Sequence, residues 1–198
     1  MPPGFYRQLP KLNAGLLAGY PRIYGIAQKL IVMSQAQLDM SRVKRFVHHY
    51  QDITSLTTGE LWALPVMLRL GLVEFLTQAI SHLLDLSQGN PLPVMDLPRP
   101  LTDDEIVANI ITSLRTLTNQ NWQVFFESVS LVEQILRHDP ASIYSHMDFN
   151  TRNRYRGIIE EIALSAGQEE QTVAWNAIGL ALEKFARTAM PATNTSGI

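Results

Sequence analysis

Residues 59–86 read GELWALPVMLRLGLVEFLTQAISHLLDL and include the most hydrophobic part of the chain. Thr57 or Thr58 stands before this stretch as an N-cap, and its length is that of a long helix rather than a strand. Pro65 lies inside the pattern and predicts a kink, or a break after a short first helix. A membrane span needs about 20 mainly apolar residues with few charges, whereas an arginine and a glutamate interrupt this stretch. We therefore predict a buried helix in a soluble domain.

Helical patterns separated by turn residues continue on both sides of this stretch. Thr102 and Glu105 form a capping box, Asn121 is a further N-cap, and Gly167 is a helix stop. No convincing strand or internal repeat is present, so we predict an all-α fold, an irregular bundle of about seven helices. The other predicted helices cover residues 20–34, 41–53, 106–118, 122–138, a short one within 141–147, 148–166 and 169–187.

Proline-rich and polar stretches predict the domain organisation. Residues 1–19 form an irregular N-terminal arm, and residues 20–86 form a first helical subdomain. Residues 87–101 contain four prolines and are the predicted linker. Residues 102–187 form a second helical subdomain, and residues 188–198 form a disordered tail. The helices form either one bundle or two subdomains that meet at the linker.

The composition excludes several classes of function. The 198 residues contain no cysteine, which rules out disulfides, thiolate metal sites and cysteine nucleophiles. The absence of cysteine is compatible with a reducing cytoplasm. The formal net charge is -2, so the charge balance gives no indication of nucleic-acid binding.

The sequence contains no motif typical of a catalytic centre. It has no glycine-rich phosphate loop, no His-Glu-x-x-His and no Gly-x-Ser-x-Gly. His48 and His49 are adjacent, but neighbouring helix positions point about 100° apart, which does not suit a shared metal ion. The carboxylates also occur as adjacent pairs and do not converge on one cleft. We therefore predict no catalytic residue, no metal site and no cofactor.

The predicted helix 41–53 carries a basic arc formed by Arg42, Lys44 and Arg45 with two histidines. The usual explanation of such an arc is a solvated face over a packed stripe. The alternative is contact with anionic lipid headgroups or with an acidic protein partner. The apolar stripe on the other side comprises Val43, Phe46, Val47, Tyr50 and Ile53.

Three arginines, Arg152, Arg154 and Arg156, lie in the first turns of the helix that Asp148 begins. Cations are unfavourable at a helix N-terminus, so each needs a partner. We expect Arg156 to pair with Glu160 one turn later, Arg154 to face outward, and Arg152 to form a partly buried node with Asp148 and backbone carbonyls. The alternative is an anion-binding or partner-binding patch. The predicted buried arc comprises Tyr155, Ile158, Ile159, Ile162, Ala163 and Ala166.

Five blocks of sequence occur in order over roughly residues 4–185: GFYRQLPKL, LAGYPRIYGIA, LTTGELWALPVMLRLGLVE, WQVFFESVSLVEQILRHDP and MDFNTRNRYRGIIEEIA. Together they resemble the N-terminal part of cyclic β-1,2-glucan synthases. Those are very large bacterial inner-membrane proteins with a membrane-embedded glycosyltransferase, a cyclising or transglycosylating region and a phosphorylase-like domain. The connection over residues 87–105 is shorter here than is usual in the family.

The resemblance implies a helical accessory region that supports the synthase by scaffolding or regulation. Its partner would be the remainder of the membrane-bound synthase or another protein, and its place the cytoplasm, peripheral to the inner membrane. The Asp-x-Asp and Gln-x-x-Arg-Trp motifs of the glycosyltransferase are absent from this sequence. No catalytic residue of the family can therefore be carried over, and we do not expect this segment to be an enzyme.

The alternative function is that of a free-standing helical protein that binds a glucan or an acidic protein. A glucan site would use an exposed aromatic side chain from among Trp62, Trp122 and Trp175. All three lie within apolar helical patterns, so we expect core packing instead.

Overall fold

The computed structural model describes residues 5–84 and 101–189, and within them the backbone is helical without a β-strand. The predicted all-α class is confirmed. The nine α-helices in this part of the chain, somewhat more than the predicted seven, follow a 3₁₀ turn at Phe5–Arg7. They are α1 (Arg22–Met33), α2 (Met40–Gln51), α3 (Thr58–Leu83), α4 (Asp103–Asn119), α5 (Trp122–Val129), α6 (Leu131–Leu136), α7 (Ile143–His146), α8 (Phe149–Ala166) and α9 (Glu170–Ala189).

The chain divides into two compact units, Met1–Val129 and Ser130–Ile198. This division falls later in the chain than the predicted boundary at residues 87–101. The predicted linker, apart from its last residue, and most of the predicted tail lie outside the described residues. Ile110 and Leu117 of α4 have no exposed surface and share one apolar core with α3. α4 therefore belongs to the first unit, although a proline-rich segment precedes it.

α3 is the central element of the first unit and packs against both α1 and α4. Its N-terminus has a full capping box, in which Thr57 and Glu60 each bond to the other's backbone N–H. The helix is continuous through Pro65, so the predicted break does not occur. At Gly71 a Cβ atom would lie 2.6 Å from the Ile31 side chain, and glycine therefore permits the close approach of α1.

α3 is also long and apolar enough to cross a membrane, judged by length and composition alone. Half of its most apolar window is buried inside the protein, as expected for the core helix of a globular unit. This property is weak evidence of a membrane span.

The turn between α1 and α2 is held by α4. Gln35 and Ala36 both have left-handed backbone conformations, with φ of 54° and 59°. The Ser113 hydroxyl donates to the Ala36 carbonyl at 2.6 Å and accepts the Leu38 N–H at 2.7 Å, while Asn109 donates to the Gln35 carbonyl. These bonds satisfy buried backbone groups that the turn leaves outside the helices.

The second unit is built from the four helices α6 to α9, with α9 packed on both α6 and α8. The predicted helix over residues 122–138 is two helices, because Ser130 ends α5 and caps α6 by accepting the Glu133 N–H. The apolar core of this unit comprises Val132, Ile135, Leu136, Tyr144, Ile159, Ala163, Val173, Ala174 and Ile178.

Candidate functional site

A buried carboxylate, that of Glu133, organises the polar interior of the second unit. The Arg156 guanidinium donates to its Oε2 atom at 2.5 Å, and the Tyr144 hydroxyl donates to the same atom at 2.6 Å. Arg137 donates to Oε1 at 2.8 Å, and Nε of Arg152 lies 3.6 Å from that oxygen. Neither Glu133 nor Arg156 has exposed side-chain surface. We call these five residues the Glu133 cluster.

Local backbone geometry places four of the five members of the Glu133 cluster. Glu133 lies in the first turn of α6, where Ser130 holds its N–H. The Asp139 carboxylate accepts two consecutive N–H groups of α7, including that of Tyr144, and so fixes the start of this short helix. The two cluster arginines on α8 are four residues apart and therefore share one helix face.

The structure corrects the expected role of Arg156. The spacing of four residues predicted a modest exposed pair between Arg156 and Glu160. The predicted exposure is wrong, because the Arg156 side chain is fully buried and reaches Glu133 on another helix. The guanidinium also lies 5.0 Å from the centre of the Phe149 ring and bonds to the Asn153 side chain.

Arg152 is nearly buried, with 11% of its side chain exposed, and donates to the Ser145 carbonyl at 3.4 Å. Asp148 is the N-cap of α8, accepting the N–H groups of Asn150 and Thr151, and its pKa is lowered by the bond from the Thr151 hydroxyl. The predicted cap is therefore observed. Arg152 itself lies beside the carboxylate of Glu133, which is on another helix. Arg154 is exposed, as the helical spacing predicted.

The buried face of α8 is rotated from the predicted one. It contains the two cluster arginines together with Ile159 and Ala163. Tyr155, Ile158 and Ile162, which were predicted to be buried, are 46–53% exposed. An apolar periodicity could not reveal this arrangement, because ionic side chains occupy part of the inner face.

Burial and the bond to Glu133 raise the pKa of the Tyr144 hydroxyl above its ordinary value. The hydroxyl therefore stays protonated and acts as a donor near neutral pH. In the Glu133 cluster, donors from three helical segments satisfy the two oxygens of one carboxylate. This arrangement joins α6, α7 and α8 through one carboxylate that has no exposed surface.

Two smaller polar links join α1 to α3 in the first unit. Arg22 binds the buried Glu60 carboxylate through two hydrogen bonds of 2.6 and 2.8 Å. Hydrogen bonding to Glu60 raises the pKa of Arg22. Glu74 accepts from the Tyr24 hydroxyl and from the Gln28 amide, both at 2.8 Å. Burial, followed by the bond to Glu74, raises the pKa of Tyr24. Both links hold α1 against α3.

The basic arc on α2 lies on the surface. Arg42, Lys44 and Arg45 are all exposed, and Arg42 has a loose pair with Asp39 at 3.8 Å. Four residues of the predicted apolar stripe are buried or half-buried. Ile53, however, is 90% exposed, because α2 ends at Gln51 and the helical spacing does not extend to it.

The tryptophans differ in environment. Trp62 is half-buried and stacks on Phe126, with ring centres 4.4 Å apart. Trp122 is half-buried, and its indole N–H donates to the Leu117 carbonyl. Trp175 is 51% exposed on α9, so the expectation of core packing is wrong for this residue.

Among residues 5–84 and 101–189, no group of three or more histidine, aspartate or glutamate side chains is arranged to hold a metal ion.

The chain is similar to a cyclic β-(1,2)-glucan synthase. The relative is the protein NdvB of Rhizobium meliloti (strain 1021), which is 27% identical over an alignment of 260 positions that includes 96% of this chain. The chain spans only 9% of the length of NdvB. Because the alignment is longer than the 198 residues of the chain, NdvB contains segments that have no counterpart here. No family model matches the chain.

Proposed function

We propose that the chain acts as a non-catalytic helical module of a glucan-biosynthesis protein related to cyclic β-1,2-glucan synthases, in scaffolding or regulation. One observation carries this proposal. Two of the blocks that resemble the synthases, the one containing Glu133 and the one containing Arg152 and Arg156, meet in the Glu133 cluster. The similarity thus coincides with a buried structural joint, where an enclosed carboxylate offers no group for glucosyl transfer.

A trans-complementation experiment tests the supporting role. NdvB lacking the matching segment would be produced with or without this chain as a separate polypeptide, and cyclic glucan would be measured. We expect the chain to restore glucan production and the Arg156→Met variant to restore less, because the joint is weakened. Equal production with and without the wild-type chain would contradict the proposal.

A direct assay tests the absence of catalysis. The isolated chain would be incubated with UDP-glucose and β-1,2-gluco-oligosaccharides, with intact NdvB as the positive control. We expect neither glucosyl transfer nor hydrolysis by the isolated chain. Either activity, if it were retained through purification and lost on heat denaturation, would overturn the proposal.

The proposed location is the cytoplasmic surface of the inner membrane, with the exposed basic arc of α2 towards anionic headgroups. Arg42, Lys44 and Arg45 supply the positive charge. Binding to vesicles should then increase with the fraction of anionic lipid and decrease with salt, because screening weakens such contacts. Binding that is indifferent to both variables would exclude this orientation.

A free-standing glucan-binding protein is the second candidate, and the exposure of Trp175 favours it. An exposed indole provides an apolar face with a polar edge, which suits the stacking of a sugar ring. Calorimetric titration with β-1,2-gluco-oligosaccharides should detect binding that Trp175→Ala removes and that Trp62→Phe retains. No heat of binding at millimolar saccharide would exclude this function.

A further inference from the structure

The Glu74 carboxylate is held in a fixed orientation where α1 contacts α3. The Tyr24 hydroxyl and the Gln28 side-chain amide each donate to its Oε2 atom at 2.8 Å. The same amide also donates to the Tyr24 hydroxyl oxygen at 2.9 Å, so each of the three side chains is bonded to the other two. Tyr24 and Gln28 are both buried, and the carboxylate that they hold therefore has little freedom to rotate.

Glu74 differs from the buried carboxylates of Glu60 and Glu133 in its partners. Glu60 is paired with Arg22, and Glu133 is paired with Arg156. Glu74 is held by neutral donors, and within residues 5–84 and 101–189 no lysine, arginine or histidine forms an ion pair with it. In the same part of the chain no hydrogen bond reaches its Oε1 atom, and the residue keeps exposed surface. Its Oε1 atom is therefore open to a cation from outside.

The surroundings of Glu74 favour an ion pair there over an ordinary exposed pair. Leu70, one turn earlier on α3, is 45% exposed, and Val73, the preceding residue, is 48% exposed. A partner that covers this apolar surface removes water around the carboxylate, and charges attract each other more strongly where the dielectric constant is lower. Because the carboxylate is already oriented, only the partner's side chain loses conformational freedom on pairing.

The open oxygen of Glu74 selects the kind of cation. A carboxylate has about four acceptor sites, two on each oxygen. Tyr24 and Gln28 occupy both sites of Oε2, so a guanidinium cannot bind the two oxygens side by side. Arginine thereby loses the geometric advantage of its planar fork. An ammonium is a compact point charge that needs only one oxygen, and the site therefore fits a lysine side chain.

An exposed aromatic ring lies next to this hydrogen-bonded network. Tyr20 is 41% exposed and stacks on Tyr24, with ring centres 5.3 Å apart. The backbone of Tyr20 is fixed, because its N–H donates to the Leu17 carbonyl and its carbonyl accepts the Leu12 N–H. A lysine stem packs well on an aromatic face, which also attracts the ammonium group. Tyr20 therefore provides a surface for the stem of a lysine whose ammonium reaches Glu74.

We propose that Glu74 is a docking site for a lysine side chain of a protein partner, with Glu74 as the ionic contact and Tyr20 as the surface for the aliphatic stem. Charge complementarity carries the inference, since a fixed and partly desolvated carboxylate lacks a described cation of its own. A single contact of this kind fixes the orientation of a partner more than it adds affinity. This inference is independent of the proposed role in glucan biosynthesis.

An NMR titration of the whole chain with N-acetyl-lysine N-methylamide tests the site. The side-chain amide of Gln28 is the reporter, because it is bonded to the Glu74 carboxylate. Its resonances should shift with probe concentration up to about 100 mM, with a slope about fivefold that of the neutral norleucine analogue. Added salt should reduce the slope, because it screens the charges. The arginine analogue should give a slope no larger than that of the lysine probe.

Three variants assign the response to particular side chains. Glu74→Gln keeps an oxygen acceptor for Tyr24 but removes the charge, and should lower the slope for the lysine probe to that for the norleucine analogue. Tyr20→Ala leaves the carboxylate and its two donors in place, and should lower the slope about twofold. Glu161→Gln removes an exposed carboxylate on α8 and is the matched control, with an expected slope equal to that of the wild type.

Three outcomes would overturn the proposal. The first is an equal slope for the lysine and norleucine probes in the wild type. The second is a slope that Glu74→Gln leaves unchanged. The third is binding of the free lysine probe more tightly than about 1 mM, which would assign the site to a free amine instead of a docked protein. Thermal melts of each variant, followed by circular dichroism, establish that the fold is retained.

Discussion

Arg156 on α8 and Glu133 on α6 form an ion pair in which neither side chain is exposed, although 23 residues separate them in the sequence. Such a pair gains little over a well-packed apolar pair, because two charges have lost their hydration. The loss of one partner alone has a much larger effect, since the other charge stays buried. The pair therefore makes the positions of α6 and α8 depend on each other.

Arg156→Met should lower the free energy of unfolding of the second unit by about 3–5 kcal/mol, because it removes one partner of this buried pair. Urea denaturation followed by circular dichroism measures the change. Arg154→Met is the matched control, since Arg154 is exposed on the same helix, and should change stability by less than about 0.5 kcal/mol. Equal stability of the two variants would contradict the structural role of the pair.

Tyr144→Phe should reduce the loss of stability at alkaline pH. Because burial and Glu133 raise the pKa of Tyr144, its contribution is complete below about pH 10 and is lost as the pH rises through the folded-state pKa. The free energy of unfolding, measured in urea at several pH values, should fall above about pH 10 in the wild type and less steeply in the variant.

Tyr24→Phe provides a parallel test in the first unit, where burial and Glu74 raise the pKa of Tyr24. The double variant should show a shallower alkaline decline than either single variant. A wild-type stability that does not decline above about pH 10 would contradict both assignments.

Asp148→Asn should remove an acid-sensitive contribution to stability. The bonds from Thr151 and Asn150 lower the pKa of Asp148, so its contribution is present above the ordinary aspartate pKa of about 4 and is lost as the pH falls through the folded-state value. Asparagine keeps an oxygen acceptor for the cap but does not titrate. Urea midpoints measured from neutral to acid pH should therefore decline less in the variant.

Asp148→Ala is the companion variant because it removes the acceptor altogether. It should have a lower urea midpoint than Asp148→Asn at neutral pH, since the N–H groups of Asn150 and Thr151 then lack their cap. Equal midpoints for the two variants would argue against the cap.

Gln35→Gly should stabilise the first unit by about 0.5–1 kcal/mol, because Gln35 has a φ of 54°, which glycine adopts without a steric penalty. Thermal unfolding measures the change. Gln37→Gly, two residues later and with a negative φ, should destabilise the protein, since only the entropic cost of glycine remains. Destabilisation by Gln35→Gly would show that its side chain contributes more than the strain costs.

Local signals in the sequence predicted the helix ends well. Thr57, Thr102 and Asp148 cap helices as expected, and Gly167 ends α8 with a φ of 62°. Each of these features depends on residues within four positions of the cap, which a sequence displays directly.

The candidate site was less predictable because its contacts are not local. Arg156 was assigned to a carboxylate on its own helix, since a single sequence shows only spacing along one helix, and Glu133 was not considered. The available signal was the spacing of Arg152 and Arg156, which are four residues apart and therefore share one helix face. The rotation of α8 by these buried ions also explains why Ile158 and Ile162 were placed wrongly.

The hydrogen bonds from Ser113 and Asn109 to the α1–α2 turn have a consequence for how this protein tolerates insertions. They fix α4 against residues more than 70 positions earlier, so α4 does not depend on the preceding connection for its alignment. Lengthening that connection by flexible residues costs about 0.6 kcal/mol of closure free energy for each doubling of its length. Whole segments can thus be gained or lost between α3 and α4 while the first unit keeps its core.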